Sequence, residues 1–514
     1  MRCPFTVEIF RLFGPPEAEK PEYLDSERRV FGMAGPRKRF SLLVVASTLI
    51  IGVVLGVWQT MAPGVDDGAS ARNVAFERML ANLAQMAPEP HPVGSAPHEA
   101  VRARILAEIT DMGLTPSVEH SQYTLDEMIA KLLRDGGVAT MDEFWEQYHW
   151  LVAQYYDVHS LDEFFDEYLG GMFDEDGVLP LQNIVVRLDA PGTDRGVLFV
   201  AHYDSTPDGP GAADDMLGVV SILEAMRSQV GNGALKSDLY FLLSDGEERG
   251  LLGAERFVEA HPELRNKIDL VVNLDALGNR GPLMLYQTSA NAYRLVDAVR
   301  ASGAWLYGYS VGAKVFSVLP NDTDLTPFLD AGYRGLNFAA IEGSKVNHTM
   351  DDVAESLNRA TAWHYLGTAL SLVDYAANNS LEDLGKPSRE AVFFPFLPGG
   401  MVLMTDVVSH ILCAIACALA LAWGLVRLRA KELRPGAGVG MGLLLVASVA
   451  GSVFFVAGAY LFYVPLLFVA LAGFVKKWRV VHTAAGMVAG VVTLMLWVPA
   501  FIVTWWTMVV PMLL

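Results

Sequence analysis

Cysteine is nearly absent. The 514-residue chain has only Cys3, Cys413 and Cys417, and none lies between residues 61 and 397. That excludes both a disulfide framework and a cysteine-ligated metal site from the middle of the chain. Cys413 and Cys417 lie one helical turn apart in an apolar run and read as small packing residues. Positive charge is scarce too. The 38 Lys and Arg face 58 Asp and Glu, for a net charge of −20. No basic patch or stripe is left to suggest a nucleic-acid partner. Much of the acidity is local, since residues 121–180 hold 14 acidic against 2 basic side chains. Charge of either sign is missing from one long run near the N-terminus and from several after Met401. With 52% hydrophobic residues the chain is too apolar for one ordinary soluble domain.

The uncharged runs predict membrane crossings. Residues 1–40 are polar and end with Arg28, Arg29, Arg37, Lys38 and Arg39. Residues 41–60 carry no charge and are long enough to span a bilayer. A cleaved signal peptide would have a shorter apolar core and a small-residue cleavage site, whereas Met61-Ala-Pro-Gly follows here. The expectation is an uncleaved signal anchor, with residues 1–40 cytoplasmic and residue 61 onward outside. Further along, Met401–Val426 reads as one span, followed by an inward loop with Arg427, Arg429, Lys431 and Arg434. Residues 438–475 would make a helix of about 57 Å, so two short spans broken at Tyr463-Val-Pro465 are preferred. These return Lys476-Lys-Trp-Arg479 to the cytoplasm, and residues 484–506 form a last span. The C-terminal region 401–506 thus holds about four helices, giving five spans in all, or four if 438–475 crosses once. Asp406 and His410 sit at the outer end of their span and no acidic cluster lies within the membrane, which favours an anchor or packing platform over a channel.

Between these regions, residues 61–397 are long enough for a full α/β core. Residues 71–86 and 97–112 have helical periodicity, through Val74, Phe76, Met79, Leu80 and Leu83, then Val101, Ile105, Leu106 and Ile109. His91 and His98 flank a proline-rich link and read as solvated loop histidines. Residues 121–180 form an acidic helical insert. Thr124-Leu-Asp-Glu127, Thr140-Met-Asp-Glu143 and Ser160-Leu-Asp-Glu163 are each capping boxes, predicting three short helices. Aromatic faces follow two of them: Phe144, Trp145, Tyr148 and Tyr155, then Phe164, Phe165 and Tyr168. The insert packs on the main domain, or serves as a lid or partner surface near the site. A strand resumes at Asn183–Leu188. Then 197–201, 239–243, 268–274 and 336–341 read as strands, and 216–229, 251–260, 290–301 and 358–376 as helices. Buried strands alternating with helices predict an α/β fold, a mostly parallel central sheet with helices on both faces.

Metal-capable residues stand at the C-terminal ends of those strands. They are His202, Glu247-Glu248, Asp275 and His348, joined by Asp214 from the loop before a helix. In doubly wound sheets the ligand crevice lies there. Two histidines with three carboxylates suit zinc, and two ions sharing a bridging aspartate would use all five. Each piece alone is weak; the ordered set on a β/α rhythm is not.

The motifs HYDS, GAADDMLG, SDGEERGLLGA, NLDALG and NHTMDD, over roughly residues 70–376, resemble the di-zinc aminopeptidase family. That family includes glutamate carboxypeptidases, glutaminyl cyclases and the transferrin receptor. The stretch PNDTDLTPFLDAGYRGLNFAAIEG is similar to its membrane-bound branch, the endoplasmic reticulum metallopeptidase and vacuolar membrane protease type. The resemblance implies two Zn2+ per chain: His202 and Asp275 on one, Glu248 and His348 on the other, Asp214 between them. It implies a cis bond between Asp214 and Asp215, with Glu247 as the general base. Asp204 would orient His202, and Asp352 would do the same near His348. A tyrosine that the family often supplies to the oxyanion has no counterpart in 318–324.

The function so implied is a membrane-anchored, zinc-dependent exopeptidase, an aminopeptidase acting on peptide substrates beside a lipid bilayer. A di-zinc carboxypeptidase or dipeptidase is the alternative, as is a non-catalytic receptor or scaffold on the same fold, which retention of every ligand argues against. Asn347-His-Thr349 is a glycosylation sequon overlapping a proposed ligand, and Asn321-Asp-Thr323 is another. A glycan at Asn347 would block the site. The expected location is therefore a bacterial cytoplasmic (inner) membrane, as a multi-pass protein with its catalytic domain on the periplasmic or extracellular side.

Overall fold

The computed structural model describes residues 36–498, except 67, 69, 157, 170–172, 175, 318–321, 432–434 and 475–486. Residues 1–35, the Lys476–Arg479 loop, Asn321 and the end of the last expected span lie outside the described residues.

Among the described residues three helices come first: α1 (Pro36–Gln59), α2 (Ala71–Met86) and α3 (Ala96–Asp111). Ser70 and Ser95 cap the second and third, each side chain accepting a backbone N–H three residues on. Phe76, Met79 and Leu83 on α2 are buried, but Val74 is exposed. A strand missing from the sequence reading follows, β1 (Ser117–Thr124). It pairs antiparallel with β2 (Val178–Leu188), so that Thr124 faces Val178. The expected 121–180 insert therefore lends its ends to strands, and its helices fill the connection between them.

Those helices are α4 (Leu125–Gly136), α5 (Met141–Tyr156) and a short turn of helix at Leu161–Glu163 running into a wider one at Phe164–Leu169. Only the first start closes a reciprocal box, Thr124 with Glu127. Glu143 and Glu163 instead take the N–H of Ala139 and His159, one residue before the cap. Met128, Phe144, Phe164 and Leu169 share a small core with Leu179, Leu181 and Leu252. Lys131 reaches Glu255 at 2.7 Å and Arg256 reaches Glu127 at 2.8 Å.

The main sheet continues with β3 (Gly196–His202), α6 (Leu217–Ser228), β4 (Asp238–Ser244), α7 (Leu252–Ala260), β5 (Ile268–Ala276), β6 (Met284–Thr288), α8 (Tyr293–Ala301), α9 (Ser310–Phe316), α10 (Leu325–Asp330), β7 (Gly335–Ala340) and α11 (Arg359–Asn378). Its strand order is β1-β2-β4-β3-β5-β7-β6. The centre, β4-β3-β5-β7, is parallel; β2 and β6 pair antiparallel with its two sides, and β1 pairs antiparallel with β2 at one edge. Every residue of β3, β4, β5 and β7 is buried, as strands covered on both faces must be. One face packs α2, α3, α6 and α11 around Phe199, Phe241 and Val272. The other packs α7 and α10 around Leu198, Tyr240 and Val271.

A hairpin follows, β8 (Ala391–Leu397) and β9 (Gly400–Thr405), and then, among the described residues, four apolar helices: α12 (Asp406–Arg429), α13 (Pro435–Phe454), α14 (Tyr460–Phe474) and one at 487–498. The span expected from Met401 begins five residues later. Met401–Thr405 pairs as a strand, and the Thr405 side chain caps α12 by accepting the Val408 N–H. Hydropathy alone cannot separate these states, because the strand is as apolar as the helix. At 24 residues α12 is long and apolar enough to cross a bilayer, and shorter apolar helices cover 43–59, 438–454, 460–471 and 487–498.

The break in 438–475 also moves. It falls at Phe455–Ala459, where the Ala457 carbonyl accepts the buried Ser310 hydroxyl at 2.7 Å, and not at Tyr463-Val-Pro465. Pro465 stays inside α14. It has no N–H to give the Leu461 carbonyl four residues back. The Trp497 indole N–H supplies that bond instead, at 2.9 Å. Trp497→Phe keeps the ring but strands the carbonyl. It is expected to cost about 1–3 kcal/mol, seen as a lower midpoint in thermal unfolding; an unchanged midpoint would contradict this account of the proline.

Candidate metal centre

The centre lies at the C-terminal end of the parallel strands. Parallel register sets His202 opposite Ser244, and the pairing of Val200 with Asn273 brings His202 level with Asp275. Turns beyond the strand ends carry the remaining residues in. Asp214 arrives on the loop before α6, where the Asp214–Asp215 peptide is cis. Gly211 makes that loop possible. Its φ is 66°, and an added Cβ would sit 2.6 Å from the Asp214 carbonyl oxygen.

Two trios of metal-capable atoms result. His202, Asp214 and Asp275 offer ligand atoms all within 4.8 Å of one another, and so do Asp214, Glu248 and His348. Asp214 belongs to both. Its Oδ1 lies 3.2 Å from His202 Nε2 and its Oδ2 lies 3.4 Å from His348 Nε2. Glu248 completes the second trio, 3.0 Å from His348 Nε2. His348 stands at the mouth with its side chain 43% exposed, while His202 is buried. Its φ of 54° places it in the left-handed region, uncommon outside glycine. Asp215 is in neither trio; its carboxylate accepts the Gly218 N–H at 3.1 Å.

The electrostatics are those of a cation site. Burial and the neighbouring Asp214 push the Asp275 carboxyl up to about 8. Burial also raises Glu248 and lifts Glu247 well above the ordinary carboxylate range, with Asp275, Asp324 and Glu248 adding repulsion to Glu247. Burial works against the Asp214 carboxylate as well, but contacts to His202 and His348 outweigh it and hold the group down at about 2. Both histidine rings resist charge through burial, yet adjacent carboxylates win and raise them. A divalent cation would take the place of the protons that this acid cluster attracts. His202 Nδ1 lies 3.1 Å from the Asp204 carbonyl, to which it can only donate, so Nε2 is the ring nitrogen that faces Asp214 and would be the one to hold a metal ion. Imidazole nitrogens and carboxylate oxygens in groups of three, with room for water, suit zinc.

Two expected partners also hold the backbone around the centre. The Asp204 carboxylate is 3.5 Å from His202 Nδ1, and it accepts the backbone N–H groups of Glu247 at 3.0 Å and Glu248 at 3.2 Å. It therefore ties the end of β3 to the acidic turn. Asp352, expected beside His348, accepts the N–H groups of Ala213 at 2.9 Å and Asp214 at 3.2 Å. It holds the loop that presents Asp214.

Other residues escaped the sequence reading. His91 and His98 are buried, not solvated, and belong to neither trio. His98 stacks on Tyr203 and meets Asp245 at 2.9 Å, beneath the Glu247 turn. Asp324 is buried and bonded to Ser244, close enough to Glu247 to raise it. Tyr365 accepts the Ala340 N–H and donates to the Asp275 carbonyl, clamping the ends of β5 and β7. Each makes a contact with a residue eighty or more positions away, so no local pattern could have announced it.

Residues 183–373, which include both trios and Glu247, match the family model Peptidase family M28. A vacuolar membrane protease of Lachancea thermotolerans is 26% identical over 70% of this chain and 35% of its own length. One of Eremothecium gossypii is 36% identical over 39% of this chain and 19% of its own length. The chain thus spans only about a fifth to a third of these relatives. Among solved structures, an aminopeptidase from Aneurinibacillus sp. strain AM-1 aligns at TM-score 0.43 and 13% identity, covering 59% of this chain and 93% of that one. The matched stretch holds strands β3 to β7 and every strand-end residue of the centre, and over residues 183–373 the chain is similar to Peptidase family M28.

Proposed function

We propose that this chain is a membrane-anchored zinc metallopeptidase, an aminopeptidase that holds two zinc ions and uses Glu247 as its general base. The observation that carries the reading is Asp214, one carboxylate shared by two trios of metal-capable atoms, with Glu247 on the adjoining turn. His202 and Asp275 would hold one ion, Glu248 and His348 the other. When bound, zinc polarises a substrate carbonyl and makes water a stronger acid.

The protein's own residues do the rest. Glu247 is partly open to solvent, so water and substrate can reach it. As a carboxylate it accepts the proton of the attacking water while the water oxygen bonds to the peptide carbonyl carbon. It returns that proton to the amine as the C–N bond breaks. Asp204 keeps Glu247 and Glu248 in fixed relation by holding both backbone N–H groups. Crowded carboxylates give a substrate's cationic α-amine a place to bind, which favours attack at N-termini. Peptides are thus the substrate class. Residues 61–397 form the extracytoplasmic catalytic part in this reading, with α1 as anchor and region 401–506 as a multi-pass membrane platform.

Glu247→Gln is expected to lower hydrolysis of unblocked peptides by about 10²–10⁴-fold while zinc content, measured by elemental analysis, stays at about two per chain. Full activity in the variant, or cleavage of N-blocked peptides only, would sink the aminopeptidase mechanism. Glu247 works only when ionised, and burial raises its pKa. The wild-type rate should therefore fall as pH falls, on a limb above the ordinary value of about 4.3; a rate that holds to pH 4 would contradict this. Asp352→Ala frees the Asp214 loop and should weaken zinc binding by about 10–100-fold, read by competition with a chelating dye.

A further inference from the structure

The tip of the β8–β9 hairpin is apolar and uncovered. Phe396 is 42% and Leu397 49% exposed, and Trp305 beside them is 37% exposed. Single exposed apolar residues are ordinary on a protein surface. This group differs in its company. Residues 391–405 carry no charge at all. The first residues of β8 are buried against the domain, and the strand emerges only at Phe396. The Trp305 ring packs on Gly399, 3.0 Å from where a Cβ would stand, so the tryptophan and the turn form one surface.

Two membrane-helix ends fix where that surface lies. Gln59, the last residue of α1, donates its side-chain N–H to the Phe396 carbonyl at 2.8 Å. At the other end of the hairpin β9 passes without a linker into α12 at Asp406. Both ends mark the outer boundary of the bilayer if these helices cross it, and the hairpin runs between them. An apolar turn with a tryptophan at that level matches what the headgroup region accepts.

We propose that Phe396, Leu397 and Trp305 insert into the outer lipid interface, so that the hairpin is an in-plane anchor fixing the catalytic domain against the membrane. The proposal rests on the membrane-anchored reading. Its partner is the bilayer.

The test uses the full chain in phosphatidylcholine vesicles, with Cys3→Ser, Cys413→Ala and Cys417→Ala removing native thiols. Single cysteines are introduced as Leu397→Cys at the tip, Leu425→Cys on α12 and Val230→Cys at an exposed position just past α6, outside the hairpin and the apolar helices, each labelled with an environment-sensitive fluorophore. Vesicles carrying nitroxide lipids should quench the Leu397 and Leu425 probes, about twofold or more for a site at the interface, and leave the Val230 probe unchanged. Quenching at Leu425 without quenching at Leu397 overturns the hairpin proposal alone. Quenching at neither overturns the membrane-anchored reading and the hairpin with it. Trp305→Cys supplies a second reading of the same patch should Leu397→Cys fold poorly.

Discussion

The centre depends on one carboxylate being held between two imidazoles. Asp214 contacts His202 on one side and His348 on the other, although His202 ends β3 and His348 lies in a turn beyond β7. Asp214 sits on one wide turn, Ala212–Met216, whose backbone departs from helical angles at Asp214 and Asp215, and Asp352 steadies that turn by gathering two successive N–H groups with its carboxylate. Around it Asp275, Glu248, Glu247 and Asp324 crowd negative charge into a buried space where each raises the cost of the next. Such a cluster is stable only with positive charge among it. Protonated histidines meet that need in part, and the two proposed zinc ions would meet most of it.

What the sequence made legible follows from the same physics. Central strands covered on both faces must be apolar throughout, so β3, β4, β5 and β7 stood out as runs, with polar residues marking their ends. Strand β1, Ser-Val-Glu-His-Ser-Gln-Tyr-Thr, has only one fully buried residue and pairs along one edge, so it carried no such mark. The acidic helices were visible because capping is local chemistry. Their attachment through Lys131 and Glu255 was not, because that contact joins residues 124 apart. Histidines 91 and 98 were misread for the same reason: what buries them is a distant Tyr203, Asp245 and Ser205.

The apolar C-terminal helices are not a separate appendage to the sheet. Met284, Tyr286 and Ala339 of β6 and β7 share one core with Val392 and Phe394 of the hairpin and with Cys413, Tyr460 and Tyr463. Ser310 on α9 joins them, donating to the carbonyls of Phe393 and Ala457. Strand β7 leads directly toward His348. The helices therefore brace the side of the sheet on which the centre is built, and in the proposed membrane setting they fix its height and tilt rather than leaving it on a tether.

The central claim is that two metal ions flank Asp214. Crystals of the protein grown with zinc and measured at wavelengths on either side of the zinc absorption edge test it directly. The account predicts two anomalous peaks, one against His202 and Asp275 and one against Glu248 and His348, with Asp214 touching both. A single peak, or peaks away from Asp214, would contradict it.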